Sequence, residues 1–178
     1  NNDRPGIMLS ASLRTYANRY AATPGQSIAV FTNNDDGLRT VADLKAKGVD
    51  VAAVIDTRTD GPAVDASAHF KGATVVDTSG KLGLNGITVK LANGQTTSIA
   101  CSALAVSGGW NPNVHMTCHQ RGIPVWNEDL AAFIPGKLPD GMSVAGAANG
   151  DMSTSQAFKT GASSAVSALA DIGIKAAA

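Results

Sequence analysis

Hydrophobic and polar positions alternate in blocks along the central part of the chain. An apolar run at 27–32 is followed by a polar loop at 33–36 and by a helix-spaced segment that ends at Gly48. A second apolar run, 49–55, ends at Asp56. A strand, a tight turn, a helix and a second strand that ends in an acid predict a βαβ unit of the dinucleotide-binding type.

The glycine-rich turn of such a unit is only partly present. Gly37 stands where the third glycine of G-x-G-x-x-G serves helix–strand packing, but Thr32 and Asn34 replace the first two glycines. Asp56 follows Gly37 at nearly the spacing of a ribose-binding carboxylate. The two aspartates after Asn34 would repel a phosphate. We expect a Rossmann-like fold with a degenerate nucleotide site, in which Asn34, Gly37 and Asp56 are the candidate contacts.

Two interpretations of the segment Asp56-Thr57-Arg58 stay open at this point. Asp56 could accept from an adenosine ribose, with Arg58 suited to a 2′-phosphate. Alternatively, the segment is a solvated strand end, which the spoiled phosphate turn favours.

After Asp56 the pattern changes from parallel to antiparallel. A short helix is predicted from Pro62 to Gly72, and a third strand at 73–78. Alternation of apolar and polar residues from 87 to 100 then indicates a β-meander, with a hairpin turn at Asn93-Gly94, before a last apolar strand at 103–106. Together these elements predict one α/β domain at 24–106.

The two ends of the chain carry elements for which the sequence offers no mate. An N-terminal helix has an apolar face and no predicted strand before it, and near the other end a short strand at 142–145 and a small-residue turn precede a helix at 153–170 capped by Ser153 or Thr154. We therefore expect residues 1–23 and 107–178 to be parts of one second domain, into which 24–106 is inserted. An upstream portion of that domain is then expected to be missing.

Composition narrows the class of partner. The chain of 178 residues has zero formal net charge and only 16% charged residues, so it has no basic stripe for nucleic acid. No apolar run reaches the length of a membrane span. The two cysteines, Cys101 and Cys118, and the absence of a signal peptide favour a reducing cytoplasm.

Several conspicuous residues have ordinary explanations beside functional ones. His115, Cys118 and His119 form H-x-x-C-H, but a zinc site needs more ligands than this segment offers, so no metal is expected. Trp110 and Trp126 suit either interface anchors or simple packing. Cys101 lies beside an apolar strand and is expected to be buried.

Motifs in this order resemble the flavoprotein reductases with two dinucleotide domains, the pyridine nucleotide–disulfide class, in which the second domain splits the first. A more specific resemblance is to the family of α subunits of heterotetrameric sarcosine oxidase. It rests on motifs that span nearly the whole chain: N-N-D-R-P-G-I-M-L at the start, R-T-Y-A-N-R-Y at 14–20, F-T-N-N-D-D-G at 31–37, S-G-G-W-N-P-N-V-H from 107, and A-G-A-A-N-G at 145–150.

This resemblance implies an NAD site in the split domain rather than in the inserted one, which makes the split domain a second Rossmann-type (FAD/NAD-binding) domain. It places cofactor contacts at Ala147, Met152 and Thr154, with Gly146 allowing close approach. The wider reductase class carries an aspartate at the position of Ala147, where it meets a flavin, and alanine argues against FAD here. The helix that begins near Ser153 is expected to direct its free N–H groups toward the pyrophosphate.

The family resemblance also implies an activity for the whole protein. That activity is oxidation of sarcosine to glycine, with formaldehyde or methylene-tetrahydrofolate and hydrogen peroxide as the other products. Flavin and tetrahydrofolate are expected in other parts of a heterotetrameric complex, and we assign no catalytic residue to this chain. Two alternatives remain: a free-standing NAD(P)-binding dehydrogenase domain that uses 27–56, and an interaction module without a ligand.

Overall fold

A computed structural model describes residues 4–119, 121–130 and 132–176. The chain divides into two units, Asn1–Gly109 and Trp110–Ala178. Each unit is described by itself.

The first unit contains two sheets among its described residues. Its strands are β1 (Ile7–Leu9), β2 (Ser27–Thr32), β3 (Asp50–Asp56), β4 (His69–Lys71), β5 (Thr74–Ser79), β6 (Gly86–Lys90), β7 (Thr96–Ala100) and β8 (Ala103–Ser107). Five of them form a parallel sheet in the order β1-β8-β2-β3-β4, and β5-β6-β7 form an antiparallel sheet. The predicted α/β class, with a Rossmann-like βαβ unit and an antiparallel meander, is therefore confirmed.

Helices α1 (Ser10–Tyr20) and α2 (Asp35–Ala46) cover one face of the parallel sheet. Val41 and Leu44 of α2 are fully buried against Ile28, Val30 and Val54 of the sheet, as the helix-spaced apolar pattern predicts. The antiparallel sheet covers the opposite face, where Ile87 and Val89 join the core around Ile55. Burial of apolar residues on both faces explains why β2 and β3 appear in the sequence as continuous apolar runs.

The N-terminal helix does have a mate, so its predicted separation from the central domain is wrong. Ile7, Met8 and Leu9 pair in parallel with Leu104, Ala105 and Val106 of β8. Leu13 and Ala17 of α1 belong to the same core as α2. The domain predicted to begin at residue 24 thus includes residues 7–20, and a three-residue strand is too short to be recognised from its pattern.

The helix predicted at 62–72 is also absent. That segment is an irregular loop followed by β4, whose His69, Phe70 and Lys71 pair with Val54, Ile55 and Asp56 of β3. The alanines that favoured a helix express a weak local preference, and pairing with a buried strand overrides it. The hairpin at Asn93-Gly94 is confirmed: it joins β6 to β7, and Gly94 has φ of +84°.

The second unit has less regular structure. Its described elements are α3 (His115–Cys118), the antiparallel pair β9 (Val125–Asn127) and β10 (Ala132–Ile134), a 3₁₀ turn (Gly146–Asn149) and α4 (Thr154–Asp171). The strand predicted at 142–145 is not formed, since no neighbouring strand pairs with it. The predicted C-terminal helix is confirmed as α4, with Ser153 as its N-cap.

Burial differs sharply between the units. In the described part of the second unit, Pro112, Thr117 and Ala132 are buried, and no residue of α4 is buried. Phe158 in α4 is 76% exposed. None of the helices in the described ranges combines the length and apolarity needed to cross a bilayer.

Candidate functional site

The carboxyl edge of the parallel sheet in the first unit holds a polar cluster between β2 and β8. The chain runs outward from β2 to β3 and β4, then returns on the other side of β2 as β8, so the strand order reverses at this point. In α/β sheets such a reversal opens the crevice in which ligands bind. Here residues 33–37 follow β2, and Ser107–Gly109 follow β8.

Asn34 fills the position at the start of α2 where a nucleotide phosphate would bind. Its side-chain Oδ1 accepts hydrogen bonds from the backbone N–H groups of Asp36 (3.0 Å) and Gly37 (3.3 Å). Those N–H groups are the donors that an anion uses at a helix N-terminus. The carboxamide of Asn34 therefore satisfies them without an external ligand.

The same carboxamide also joins the two strand ends. Asn34 Nδ2 donates to the Ser107 carbonyl oxygen at 3.1 Å, and Ser107 Oγ donates to Asn34 Oδ1 at 3.1 Å. Asn33 Nδ2 adds a contact to the Gly108 carbonyl oxygen at 3.3 Å. Ser107 and Asn33 were not predicted to belong to this cluster, although both lie in motifs that carry the family resemblance.

Gly37 is required by packing. A Cβ at this position would lie 2.2 Å from Thr32 Oγ1 and 2.4 Å from Thr32 Cβ, closer than any real contact. The interpretation of Gly37 as the glycine that permits close helix–strand packing is confirmed. Its backbone N–H is nevertheless bound to Asn34, so it offers no donor to a ligand.

Asp56 at the end of β3 is fully buried and paired with Arg58. Its Oδ1 accepts from the Arg58 backbone N–H (2.9 Å) and Nε (3.1 Å), and its Oδ2 accepts from Arg58 Nη2 (2.9 Å). The interpretation as a solvated strand end is therefore wrong, because Asp56 is 0% exposed. A ribose contact would require breaking these bonds, since both carboxylate oxygens are engaged.

Ion pairs extend this arrangement to the start of α2. Arg58 Nη1 also binds Asp35 Oδ1 at 2.8 Å, and hydrogen bonds to Asp56 and Asp35 raise the pKa of the guanidinium above its usual value. Arg14 of α1 binds Asp36 at 2.9 Å and Asp43 at 2.8 Å. Arg58 and Arg14 are thus each paired with two carboxylates of the same unit, so these two cations add no net positive charge to attract a phosphate.

The other candidate residues lie on the turn that precedes α4 in the second unit. Gly146 has φ of +66°, which favours glycine, and its N–H donates to Thr160 Oγ1 at 3.1 Å. Its carbonyl oxygen accepts from the Asp151 N–H at 3.1 Å, which closes the turn. Ala147, Met152 and Thr154 are all exposed on the surface of this unit.

The N-terminus of α4 keeps free donors. Ser153 Oγ accepts from the Gln156 N–H at 3.2 Å and donates to Gln156 Oε1 at 2.8 Å, a local capping arrangement. Within the described part of the chain, the N–H groups of Thr154 and Ser155 have no hydrogen-bond partner. The turn and helix start therefore combine open backbone donors with the positive end of an 18-residue helix.

The histidines, cysteines and tryptophans that the sequence suggested as candidates form no metal or ligand site in the described ranges. In the described ranges, no three His, Cys, Asp or Glu side chains come close enough to hold a metal ion. Both cysteines are free, and Cys101 is 4% exposed, which confirms that it is buried. Burial raises the pKa of its thiol to about 11. Trp126 packs edge-on against Phe133, with ring centroids 5.2 Å apart, and Trp110 is 61% exposed.

Comparison with known proteins gives close relatives for most of the chain. It is 38% identical to sarcosine oxidase subunit alpha of Rhizobium meliloti (strain 1021) over 179 residues, which cover 97% of the chain and 18% of that protein. It is 40% identical over 176 residues to the same subunit of Corynebacterium sp. (strain P-1), covering 91% of the chain and 18% of the relative. The chain thus spans about a fifth of the length of these relatives. No family model matches it.

Solved structures share the fold at low sequence identity. The L-proline dehydrogenase from P. horikoshii matches with a TM-score of 0.62 and 19% identity over 99% of this chain and 32% of that one. The thioredoxin reductase from T. acidophilum matches with a TM-score of 0.60 and 14% identity over 94% of this chain and 58% of that one. These similarities show that the chain has the α/β fold seen in those enzymes.

Proposed function

Because the chain is homologous to a segment of sarcosine oxidase subunit alpha, we propose that it works as a segment of the α subunit of such an oxidase. The whole enzyme would oxidise sarcosine to glycine, with hydrogen peroxide and either formaldehyde or methylene-tetrahydrofolate as the other products. Flavin and folate chemistry would belong to other parts of the complex. This segment would supply scaffold, contacts to other subunits and one wall of an NAD site.

The contrast between the two helix N-termini carries this proposal. In the first unit, Asn34 already binds the Asp36 and Gly37 N–H groups, and Arg58 pairs with Asp56. In the second unit, Thr154 and Ser155 keep their N–H groups free beside an exposed turn. A bound dinucleotide is therefore better accommodated at the start of α4 than at the start of α2.

The residues of the second turn fit one end of NAD. Gly146 has ordinary van der Waals room, because a Cβ there would lie 3.5 Å from Ala157 Cβ, and its positive φ brings the turn back onto α4. The N–H groups of Thr154 and Ser155 would hold the pyrophosphate, while Ala147 and Met152 would contact the remainder of the cofactor. When bound, NAD supplies a nicotinamide for hydride chemistry or serves as a fixed structural ligand, and this chain's residues position it.

A charge reversal on the turn tests the proposal. In the full-length protein that contains this chain, Ala147→Asp places a carboxylate beside the proposed pyrophosphate and should lower co-purified NAD several-fold. Ala168→Asp, an exposed change near the other end of α4, is the matched control and should leave the NAD content unchanged. Cofactor released on denaturation is quantified by chromatography. An unchanged NAD content in Ala147→Asp, with the control also unchanged, would favour the interaction module without a ligand.

The competing dehydrogenase hypothesis makes a different prediction. NAD(P) bound by the first unit needs Asp56 and the α2 donors, and each is already occupied by a side chain of the unit itself. Calorimetry of the chain with NAD, NADP and FAD distinguishes the two. Tight binding that is lost in Asp56→Asn but kept in Ala147→Asp would replace our proposal with that alternative. The two free cysteines are compatible with the cytoplasmic location that we propose for the protein.

A further inference from the structure

The chain contains three Asn-Gly pairs: Asn85-Gly86, Asn93-Gly94 and Asn149-Gly150. In such a pair, the glycine backbone nitrogen can attack the asparagine side-chain carbon, because glycine has no Cβ to hinder the approach. The structure gives the three pairs very different surroundings. Their reactivity should differ accordingly.

Asn93-Gly94 forms the exposed tip of the β6–β7 hairpin. No atom lies within 4 Å of a Cβ placed on Gly94, whose φ is +84°. The Asn93 side chain folds back along its own backbone: Oδ1 accepts from the Gln95 N–H at 3.0 Å, and Nδ2 donates to Gln95 Oε1 at 3.1 Å. The Gly94 N–H also donates to the Leu91 carbonyl oxygen at 2.9 Å, so the turn is closed by local hydrogen bonds. Because residues 92–95 are all exposed, these bonds can open without disturbing packed side chains.

Asn85-Gly86 is held by the sheet instead. Gly86 is buried and begins β6, where it pairs with Ser79 on one side and Ala100 on the other. The Asn85 N–H donates to the Ser79 carbonyl oxygen at 2.8 Å. Rotation of this peptide into a reactive geometry requires opening of the ladder.

Asn149-Gly150 is held by its own turn and by its neighbours. Asn149 Nδ2 donates to Asp151 Oδ2 at 3.2 Å, and the Gly150 N–H donates to the Ala147 carbonyl oxygen at 3.1 Å. A Cβ on Gly150 would lie 2.7 Å from Leu130 Cδ1, so the backbone here is closely packed. Asn149 and Gly150 are half-buried, so opening this turn disturbs packed side chains as well as hydrogen bonds, unlike opening the exposed hairpin tip.

We propose that Asn93 is a site of spontaneous deamidation, and that its product is a mixture of aspartate and isoaspartate at the tip of the β6–β7 hairpin. The Gly94 nitrogen loses its proton to hydroxide and forms a bond to Asn93 Cγ. The Cγ–Nδ2 bond breaks and ammonia leaves, which gives a cyclic succinimide. Water then opens the ring at either carbonyl, with no oxidant or reductant involved. The formal net charge of the chain changes from zero to one negative.

Peptide mapping by mass spectrometry tests where deamidation occurs and in which order the three asparagines react. The full-length protein is incubated in mildly alkaline buffer, and conversion of amide to acid is followed at all three asparagines. Asn93 should react about tenfold faster than Asn85 and Asn149, since its exposed turn opens more readily than a sheet ladder or a half-buried turn. Fragmentation by electron transfer distinguishes isoaspartate from aspartate.

Two controls show whether the structure sets the rank. In the chain unfolded by denaturant, the three pairs should react at rates that differ much less. The variant Asn93→Gln keeps the neutral charge and the amide, but the longer side chain closes its ring poorly, so the acidic species on ion exchange should disappear. If Asn85 or Asn149 reacts first in the folded protein, or if the ranking is the same after unfolding, the proposal is overturned.

Discussion

Helices α2 and α4 each begin at a capped residue, yet they stand in opposite surroundings. Helix α2 is packed on a parallel sheet, with Gly37, Thr40, Val41 and Leu44 buried, and its first donors are bound by Asn34. Helix α4 buries no residue, and its N–H groups at Thr154 and Ser155 are open. Both helices have the positive end that attracts anions, but in α2 the Asp36 and Gly37 N–H groups are bound by Asn34, whereas in α4 two adjacent N–H groups stay open within the described residues.

The difference shows how the donors at a helix N-terminus beside a sheet edge can be satisfied by a side chain of the same chain. An unfilled helix N-terminus at the edge of a sheet leaves buried polar groups unsatisfied, which costs free energy. The first unit avoids this cost because Asn34 replaces the phosphate oxygens and Arg58 replaces the ribose hydroxyls as partners. Its stability then rests on packing and on internal pairs rather than on a ligand.

The largest expected effect comes from breaking the buried pair in the first unit. Asp56→Ala leaves the Arg58 guanidinium without its buried partner, and loss of one member of such a pair typically costs about 3–5 kcal/mol. We expect about 3 kcal/mol in the free energy of unfolding, because the Arg58 side chain is 27% exposed and keeps Asp35. Urea unfolding followed by circular dichroism measures the loss.

The second unit provides the matched control for that substitution. Asp151→Ala removes a half-buried carboxylate that, among the described residues, accepts one side-chain hydrogen bond, from the Asn149 amide, and it should change stability by less than about 1 kcal/mol. The double variant Asp56→Ala/Arg58→Ala should recover part of the loss, because the uncompensated charge is removed. Equal losses in Asp56→Ala and Asp151→Ala would contradict the internal-ligand explanation.

A smaller effect is expected from adding one methyl group to a glycine in each helix. Gly37→Ala pushes a Cβ into Thr32 at 2.2 Å and should destabilise the first unit by about 1–3 kcal/mol, the usual cost of overpacking. Gly161→Ala in α4 meets nothing within 4 Å and should stabilise the helix by up to about 1 kcal/mol, because alanine loses less backbone entropy. Thermal unfolding of the two variants compares them directly. Opposite signs support the contrast between a packed and an unpacked helix, and a destabilising Gly161→Ala would show that α4 is closely covered in the protein.

The sequence predicted the parts of the first unit that follow from hydrophobic pattern. The runs at β2 and β3, the helix spacing of α2 and the Asn93-Gly94 hairpin all have strong local signals, and the structure has each of them. Strand β1 has only three residues, so its pairing with β8 has no periodic signature. Strand β4 was missed because its segment is rich in alanine and its strand conformation depends on pairing with β3.

The candidate site was harder to predict than the fold. The missing glycines correctly indicated a degenerate phosphate turn, and the spacing from Gly37 to Asp56 drew attention to the right strand end. Asn34 forms a hydrogen bond with Ser107, which lies 73 residues away in the chain. This contact depends on the order of the strands in the sheet, which a single sequence does not specify. The pairing of Arg58 with Asp56 depends on a rotamer choice, and the sequence allowed the same arginine to point toward a ligand.

The smallest effect concerns the pH dependence of the first unit. The pKa of His69 on β4 is lowered from its usual value, first by burial and then by the nearby charge of Lys71, and its Nε2 is buried with no partner in the described part of the chain. Arg58 also disfavours the charged form, while Asp56 favours it. The unfolded chain therefore binds a proton more readily than the folded one. Neutral His69 therefore contributes stability that is complete above the pKa of histidine in the unfolded chain, about 6.5, and is lost as the pH falls below it. The slope of the unfolding free energy is at most about 1.4 kcal/mol per pH unit.

His69→Gln should flatten the curve of unfolding free energy against pH between neutrality and mild acid. His115→Gln, at an exposed position of the second unit, serves as the control. An acid-sensitive curve that is the same with and without His69 would assign the loss to other groups and remove this histidine from the contrast between the units.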